Sequence, residues 1–118
     1  MIKVKHIYEG VSGNDGFRIL VDRLWPRGLS KEKACVDLWL KDIAPSGELR
    51  KWFSHDVSKW DGFKRLYLDD LYKRYDLIDE IKALEKRHKK VTLLYGAKDK
   101  EHNNAVLILS FIRHGGKC

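Results

Sequence analysis

The chain lacks the features that mark membrane and secreted proteins. Its 118 residues contain no apolar stretch approaching the roughly 20 residues of a membrane span. The first residues alternate like a strand and do not resemble a signal peptide. Only two cysteines occur, Cys35 and Cys118, whereas a small secreted domain usually carries several disulfides. We therefore expect a cytoplasmic protein that does not contact membranes, with Cys118 as a free thiol.

The chain also lacks the motifs of several common enzyme and metal-binding classes. It contains no Walker A sequence, no Gly-x-Gly-x-x-Gly and no Gly-x-Ser-x-Gly. No Cys-x-x-Cys occurs, and no two histidines have the spacing of metal ligands on one helix. No convincing pair of carboxylates stands out. These absences disfavour standard nucleotide-hydrolysing, dinucleotide-binding and serine-hydrolase functions, and we expect neither a metal site nor a cofactor.

The composition describes one ordinary folded domain with a basic surplus. Its length fits a single domain over residues 1–118, with 43% hydrophobic and 35% charged residues. The net charge of +7 is spread along the chain, and its densest portion is mixed with acidic residues. Such a surplus favours anionic partners in general but lacks the concentrated stripe of a dedicated DNA-binding protein. Nucleic-acid binding is therefore expected to be weak if it occurs.

Alternating and apolar runs predict the strands. Ile2–Tyr8 and Phe17–Asp22 have strand patterns, and the short link between them leaves two possibilities. The two strands form a hairpin, or the second enters the sheet at a non-adjacent place. Val36–Leu40 is a short strand or an extended segment. Val91–Tyr95 is nearly all apolar, as expected for a central strand buried on both faces.

Capping residues and apolar spacing predict the helices. Ser30 is a suitable N-cap for a short helix through Ala34, and Ser46 for a helix whose apolar side is Leu49, Trp52 and Phe53. Longer helices are predicted from apolar residues three and four apart, at Trp60–Tyr75, Leu77–His88 and Ala105–Ile112. The expected fold is α/β: a small, at least partly parallel sheet with packed helices, in a single domain.

The first candidate site follows the second strand. Asp22–Gly28 places Arg23 and Arg27 in a turn restrained by proline, with Trp25 between them. A guanidinium suits phosphate or carboxylate, and an indole offers a face for stacking. The alternative is structural: Trp25 fills the core and the arginines pair with Asp22 or Glu32.

The second candidate site follows the fourth strand. Asp99 is expected to cap the last helix, leaving His102 near the third helical position as an acid or base, or bonded to the neighbouring loop. Helix N-termini attract anions, and donors near this one would reinforce that preference. Those donors are Lys98, Asn103 and Asn104, beside Tyr95. Because parallel strands place their carboxyl ends on one edge, we expect the two segments to line a common pocket.

A third group follows the helix capped by Ser46. His55 ends the run Arg50–His55 and precedes Asp56. It either lines the site, or it satisfies backbone groups while Trp52 and Phe53 lie in the core.

The chain resembles YeaO-like members of the domain-of-unknown-function-488 family. The matching segments span nearly the whole chain in one order: Val21–Gly28, Ala44–Ser46, Leu49–His55, Trp60 with Phe63, Thr92–Tyr95, Lys98-Asp99 and His102–Ala105. The resemblance implies the family and no established activity.

One departure from the wider family bears on mechanism. In other branches of the wider family, the resemblance implies a strand that ends in Cys-Ala-Glu and a later Cys-His-Arg segment. Here the corresponding positions hold Tyr95-Gly96-Ala97 and Asn103-Asn104-Ala105. A thiolate nucleophile is therefore absent from the expected place, whereas the anion-binding residues Arg23, Lys98 and His102 remain.

Three functions are weighed. In the leading one, the protein binds a phosphorylated or other anionic ligand, such as a nucleotide, at the sheet edge. One form of this function is an enzyme of nucleotide or nucleic-acid metabolism. Arg23 and Arg27 would hold the anion, Trp25 and Tyr95 would form the walls of the pocket, and His102 would be the candidate acid or base. The alternatives are a non-catalytic nucleic-acid-binding module and a structural or regulatory protein whose Trp25 loop is an interaction patch. The ligand, any reaction and the oligomeric state stay open.

Overall fold

The protein is a four-stranded parallel sheet with helices on both faces, as described for residues 1–114 by a computed structural model. Cys118, predicted to be a free thiol, lies outside the described residues. The strands are β1 (Ile2–His6), β2 (Phe17–Leu20), β3 (Leu38–Trp39) and β4 (Val91–Tyr95). The helices are α1 (Lys31–Ala34), α2 (Gly47–Phe53), α3 (Trp60–Lys73), α4 (Tyr75–His88) and α5 (Asn104–Arg113). The predicted α/β class is confirmed.

The strand order, β1-β4-β2-β3, decides between the two arrangements left open for the first strands. β1 and β2 each pair in parallel with opposite edges of β4, so that Val4 and Ile19 both lie beside Leu93. They are therefore not a hairpin. Every residue of β4 is buried, which confirms its prediction as a central strand.

The two faces of the sheet carry different cores. Alternate strand residues, Ile19, Val21 and Leu93 among them, pack on one face against α2–α5 in the larger cluster. The opposite face carries a smaller cluster, in which Leu20 and Leu94 pack against Ala34 of α1 and partly buried Trp25. Within residues 1–114, no helix has both the length and the apolar character needed to cross a membrane.

The connections after β2 and β4 diverge to opposite faces. The chain leaves β2 for the smaller-cluster face, where α1 lies, and leaves β4 for the larger-cluster face, where α5 lies. Neighbouring parallel strands whose connections diverge leave a crevice at their carboxyl ends, the usual ligand position in open α/β sheets. In this chain that crevice lies between the ends of β2 and β4.

Two predictions about the helices are wrong in detail. The helix predicted as Trp60–Tyr75 ends at Lys73, and Tyr75 begins α4 instead, because Arg74 adopts a non-helical backbone. Trp52, predicted in the core, is 44% exposed. Its ring lies over Gly62, where an added Cβ would come within 2.9 Å of it, so it packs along α3 at the surface.

Candidate functional site

Hydrogen bonds tie the end of β2 to the segment after β4. The Val21 amide donates to the Leu94 carbonyl at 3.1 Å, which extends the pairing beyond the strand. The Gly96 amide donates to Asp22 Oδ2 at 2.8 Å, and Asn104 Nδ2 donates to the Val21 carbonyl at 2.8 Å. The carboxyl ends of both strands and the first turn of α5 therefore form one connected unit.

Arg23 is anchored by backbone carbonyls. Its Nε donates to the Pro45 carbonyl at 3.3 Å and its Nη2 to the Ala44 carbonyl at 3.5 Å. The same segment is held from the other side, because the Tyr67 hydroxyl donates to the Ile43 carbonyl at 2.6 Å. Since a guanidinium has five N–H donors, most of the Arg23 donors are left for a ligand.

A cleft of about 240 Å³ opens at this junction. Its charged and amide lining residues come from three separate segments, and its remaining lining is apolar or glycine. The former are Asp22, Arg23, Arg50, His55, His102, Asn103 and Asn104, and the latter are Leu24, Ala44, Pro45, Phe53, Phe63, Gly96 and Ala97.

Aromatic packing between α2 and α3 builds the apolar wall. The rings of Phe53 and Phe63 stack with centroids 4.5 Å apart, and Phe63 continues the stack to Tyr67 at 5.7 Å. Both phenylalanines are buried. The wall excludes water from one side of the cleft, which strengthens electrostatic interactions within it.

His55 reaches the cleft through an uncommon backbone conformation. Ser54 and His55 have φ values of 44° and 58°, consecutive left-handed positions occupied by non-glycine residues. Ser54 ends α2 there, and its amide donates to the Arg50 carbonyl at 2.9 Å. Such conformations cost of order 1–3 kcal/mol each and are concentrated at functional sites.

His102 is oriented by Asp99 and by Trp60. Asp99 Oδ2 lies 2.8 Å from His102 Nδ1, and the imidazole meets the Trp60 indole edge-on at 5.0 Å. Hydrogen bonds from the Glu101 amide, then from the side chain and amide of His102, lower the pKa of Asp99. With Nδ1 engaged, Nε2 is the ring nitrogen left for a ligand.

The prediction that Asp99 caps the last helix is wrong. Asn103 is the N-cap of α5, and its side chain accepts from the Val106 amide at 3.0 Å. Asp99 instead holds the preceding turn by accepting from the amides of Glu101 and His102. His102 therefore lies just before the helix and not at its third position, although Asn103 and Asn104 still bring the helix N-terminus to the cleft.

Asp22 is a carboxylate among the cations of the cleft. Burial raises the pKa of the Asp22 carboxyl, which the Gly96 amide, the Asn104 side chain and the nearby charge of Arg50 partly offset. The net direction is upward because desolvation outweighs these contacts.

Five of the nine predicted site residues line the cleft and four do not. Arg23, His55, His102, Asn103 and Asn104 are brought together there. Trp25 lies against the smaller cluster, where its indole N–H donates to the Leu29 carbonyl at 2.6 Å. Tyr95 is buried in the larger cluster, and Arg27 and Lys98 are exposed away from the cleft.

Sequence reasoning did not select three further lining residues as ligand-binding. Arg50 and Phe63 lie on helices whose periodicity does not reveal which loop they face. From the sequence, Asp22 is expected only as an ion-pair partner of the arginines. Its position directly after a buried strand was the available signal.

Comparison with known proteins identifies a family model and several relatives, which match from 60% to nearly all of the chain. A family model described as "Inactive DUF488-N3 subclade" matches residues 1–115. The uncharacterised protein YeaO of Escherichia coli is 38% identical over 95% of this chain and 96% of its own length. Uncharacterised proteins of Mycobacterium bovis (Mb3100c) and Mycobacterium tuberculosis (Rv3073c) are 42% identical over 60% of this chain and 60% of theirs. No solved structure matches.

Proposed function

We propose that this chain, which belongs to the inactive DUF488-N3 subclade, binds a small phosphorylated or otherwise anionic ligand in the cleft between β2 and β4. The observation that carries the proposal is the convergence of Arg23, Arg50, His55 and His102 on one partly apolar crevice. Three separate segments supply these side chains, so their meeting is a product of the fold and not of local sequence.

Arg23 is the principal anion contact in this proposal. Two backbone carbonyls fix its guanidinium and leave further donors for a planar, bidentate contact with phosphate or carboxylate. Arg50 and His55 supply charge or donors from α2 and the residues that follow it. The N-terminus of α5 adds backbone N–H groups that have no partner within the helix.

Binding without turnover agrees with the family description. The subclade is described as inactive. This chain has Tyr95 and Asn103 at the two positions where the resemblance implies a cysteine in other branches of the wider family. The Asp99–His102 pair supports a second candidate, in which His102 transfers a proton to or from a bound ligand. His102→Gln would then abolish turnover while leaving ligand affinity within a few fold of wild type.

The position of Trp25 bears on the interaction-patch alternative. Its ring meets Trp39 edge-on at 5.5 Å and its N–H is satisfied within the fold. This is the environment of a packing residue, and it supports the cleft over the Trp25 loop as the site of function.

Isothermal titration with propyl phosphate tests the proposal. Arg23→Lys keeps the charge but loses the fork, so we expect affinity to fall by about tenfold or more, the factor for one lost charge-assisted hydrogen bond. Arg27→Lys is the matched control, because Arg27 is an exposed arginine of the same loop that lies outside the cleft.

Thermal melts of the same variants separate binding from folding. Equal affinities of the two variants would contradict the proposal. A large fall in the melting temperature of Arg23→Lys, with unchanged affinity of the folded fraction, would assign Arg23 to structure.

A further inference from the structure

Asp22 is the feature of the cleft that anion binding alone does not explain. It lines the same cleft as Arg23 and Arg50, where an ionised carboxylate repels a bound phosphate. A site that selected only for negative charge would bind more tightly without this residue.

The structural role of Asp22 requires an acceptor oxygen but not a charge. Its Oδ2 accepts from the Gly96 amide at 2.8 Å, a bond that an asparagine oxygen could also accept. A carboxylate offers about four acceptor positions, so capacity remains for a donor on a ligand. Burial also raises the pKa of this carboxyl, because the surroundings solvate its ionised form poorly.

From these contacts we infer that Asp22 determines ligand specificity by accepting a hydrogen bond from a hydroxyl group of the bound molecule, so that the cleft selects a small hydroxylated phosphate over a simple alkyl phosphate. The inference rests on the proposed anion site. A hydroxyl fits better than an amine because Arg23 and Arg50 repel a second cation. The volume of about 240 Å³ lies below the range of about 300–1,000 Å³ typical of drug-sized ligands, which favours a short polyol phosphate.

Glycerol 3-phosphate and propyl phosphate form a matched pair of probes, since they share the phosphate and the three-carbon chain and differ in two hydroxyls. The full chain should bind glycerol 3-phosphate about tenfold more tightly, the factor for one hydrogen bond to a charged acceptor. Asp22→Asn should remove this preference. It should also bind propyl phosphate more tightly than wild type, because the repelling charge is gone.

Two further variants keep the test specific. Asp42→Asn removes the same charge from an exposed residue outside the cleft, and it should leave both affinities unchanged. Gly96→Ala places a Cβ 3.2 Å from Asp22 Oδ2, so it should shift the carboxylate and reduce the preference without tightening propyl phosphate binding. This variant also serves if Asp22→Asn does not fold.

The outcomes distinguish this inference from the proposed function. Equal wild-type affinities that still depend on Arg23 would overturn the role of Asp22 and leave the anion site standing. A parallel loss of both ligands in Asp22→Asn, with a lowered melting temperature, would make Asp22 structural. Absence of binding by either probe would overturn the anion site and the inference together.

Discussion

His55 holds a φ of 58°, in the left-handed region that glycine adopts at little cost. We expect His55→Gly to raise the free energy of unfolding by about 1 kcal/mol, because a side chain in this region costs about 1–2 kcal/mol. The same change should weaken propyl phosphate binding, since it removes an imidazole from the cleft. Urea unfolding and calorimetric titration measure the two effects.

Cys35→Gly is the matched control for His55. Cys35 ends α1 in the left-handed conformation, with a φ of 48°, and lies outside the cleft. It should gain similar stability with no change in affinity. Loss of stability in His55→Gly would mean that the histidine contributes packing that outweighs its strain.

Asp15 and Asp22 predict opposite dependences of stability on pH. Burial acts to raise the pKa of Asp15, but hydrogen bonds from the Ser12 amide and three cations (Lys5, Lys3 and Arg18) hold it below the ordinary range. A lowered folded-state pKa gives stability that is present above the unfolded value, about 4 for aspartate, and lost as pH falls below it. The raised pKa of Asp22 gives stability present below about 4 and lost as pH rises through the folded value.

Asn substitutions at the two positions test these signs. Asp15→Asn should lower the free energy of unfolding at pH 7 by about 3–5 kcal/mol, because it leaves Arg18 buried without its anion. This loss of stability should become smaller toward pH 2. Asp22→Asn should be at least as stable as wild type at pH 7 and lose any advantage below pH 4. Denaturant titrations across pH would contradict this account if both variants changed in the same direction.

The candidate site was predictable at Arg23, His102 and the two asparagines, since each follows a strand whose carboxyl end was recognisable. Trp25 and Lys98 were not predictable because successive side chains of a strand-end loop point to different faces, and sequence does not specify which. Asp99 is not the N-cap of α5, because Asn103 occupies that position. Both are good capping residues, and only the position of the helix start distinguishes them.

The strands and helices followed from periodicity, but their order in space did not. β4 was recognised from its continuous apolar run, yet its insertion between β1 and β2 depends on contacts across more than seventy residues. Gly16, just before β2, packs closely against Lys90, just before β4. The amide after it, on Phe17, donates to the Lys90 carbonyl at 2.9 Å.

Gly16→Ala should destabilise the junction between β2 and β4. Gly16 has a φ of 64°, and an added Cβ would lie 2.4 Å from the Lys90 carbonyl oxygen. Both the strained conformation and the backbone clash predict a loss of more than about 1 kcal/mol. Gly13→Ala is the control, because no atom lies within 4 Å of its added Cβ, and it should change stability by less than about 0.5 kcal/mol. Equal denaturation midpoints for the two variants would contradict the packing described.

The molecule separates its cleft from its most basic segment. The last turn of α4 carries Lys86, Arg87 and His88, and Lys89 and Lys90 follow before β4 begins. These exposed residues lie at the opposite end of β4 from the cleft. They offer contacts to phosphates, which position a nucleic acid without reading its sequence.

Nucleic-acid binding, if it occurs, should therefore be weak and strongly salt-dependent. Its free energy would come from counterion release, so raising the salt from 50 to 200 mM should remove most of it. Gel-shift titrations at both concentrations measure this. Tight, sequence-selective binding that persists at the higher salt would make nucleic acid the leading partner.

The cleft and the basic segment at residues 86–90 are the two candidate binding sites for an anion. A ¹H–¹⁵N correlation spectrum recorded during titration with propyl phosphate distinguishes between them. The account predicts that the amides of Arg23, Gly96, Asn104 and Ala105 shift together and saturate with one affinity. The first three residues line the cleft, and Ala105 lies in the first turn of α5 beside it. Shifts confined to residues 86–90, with the cleft amides unmoved, would contradict it.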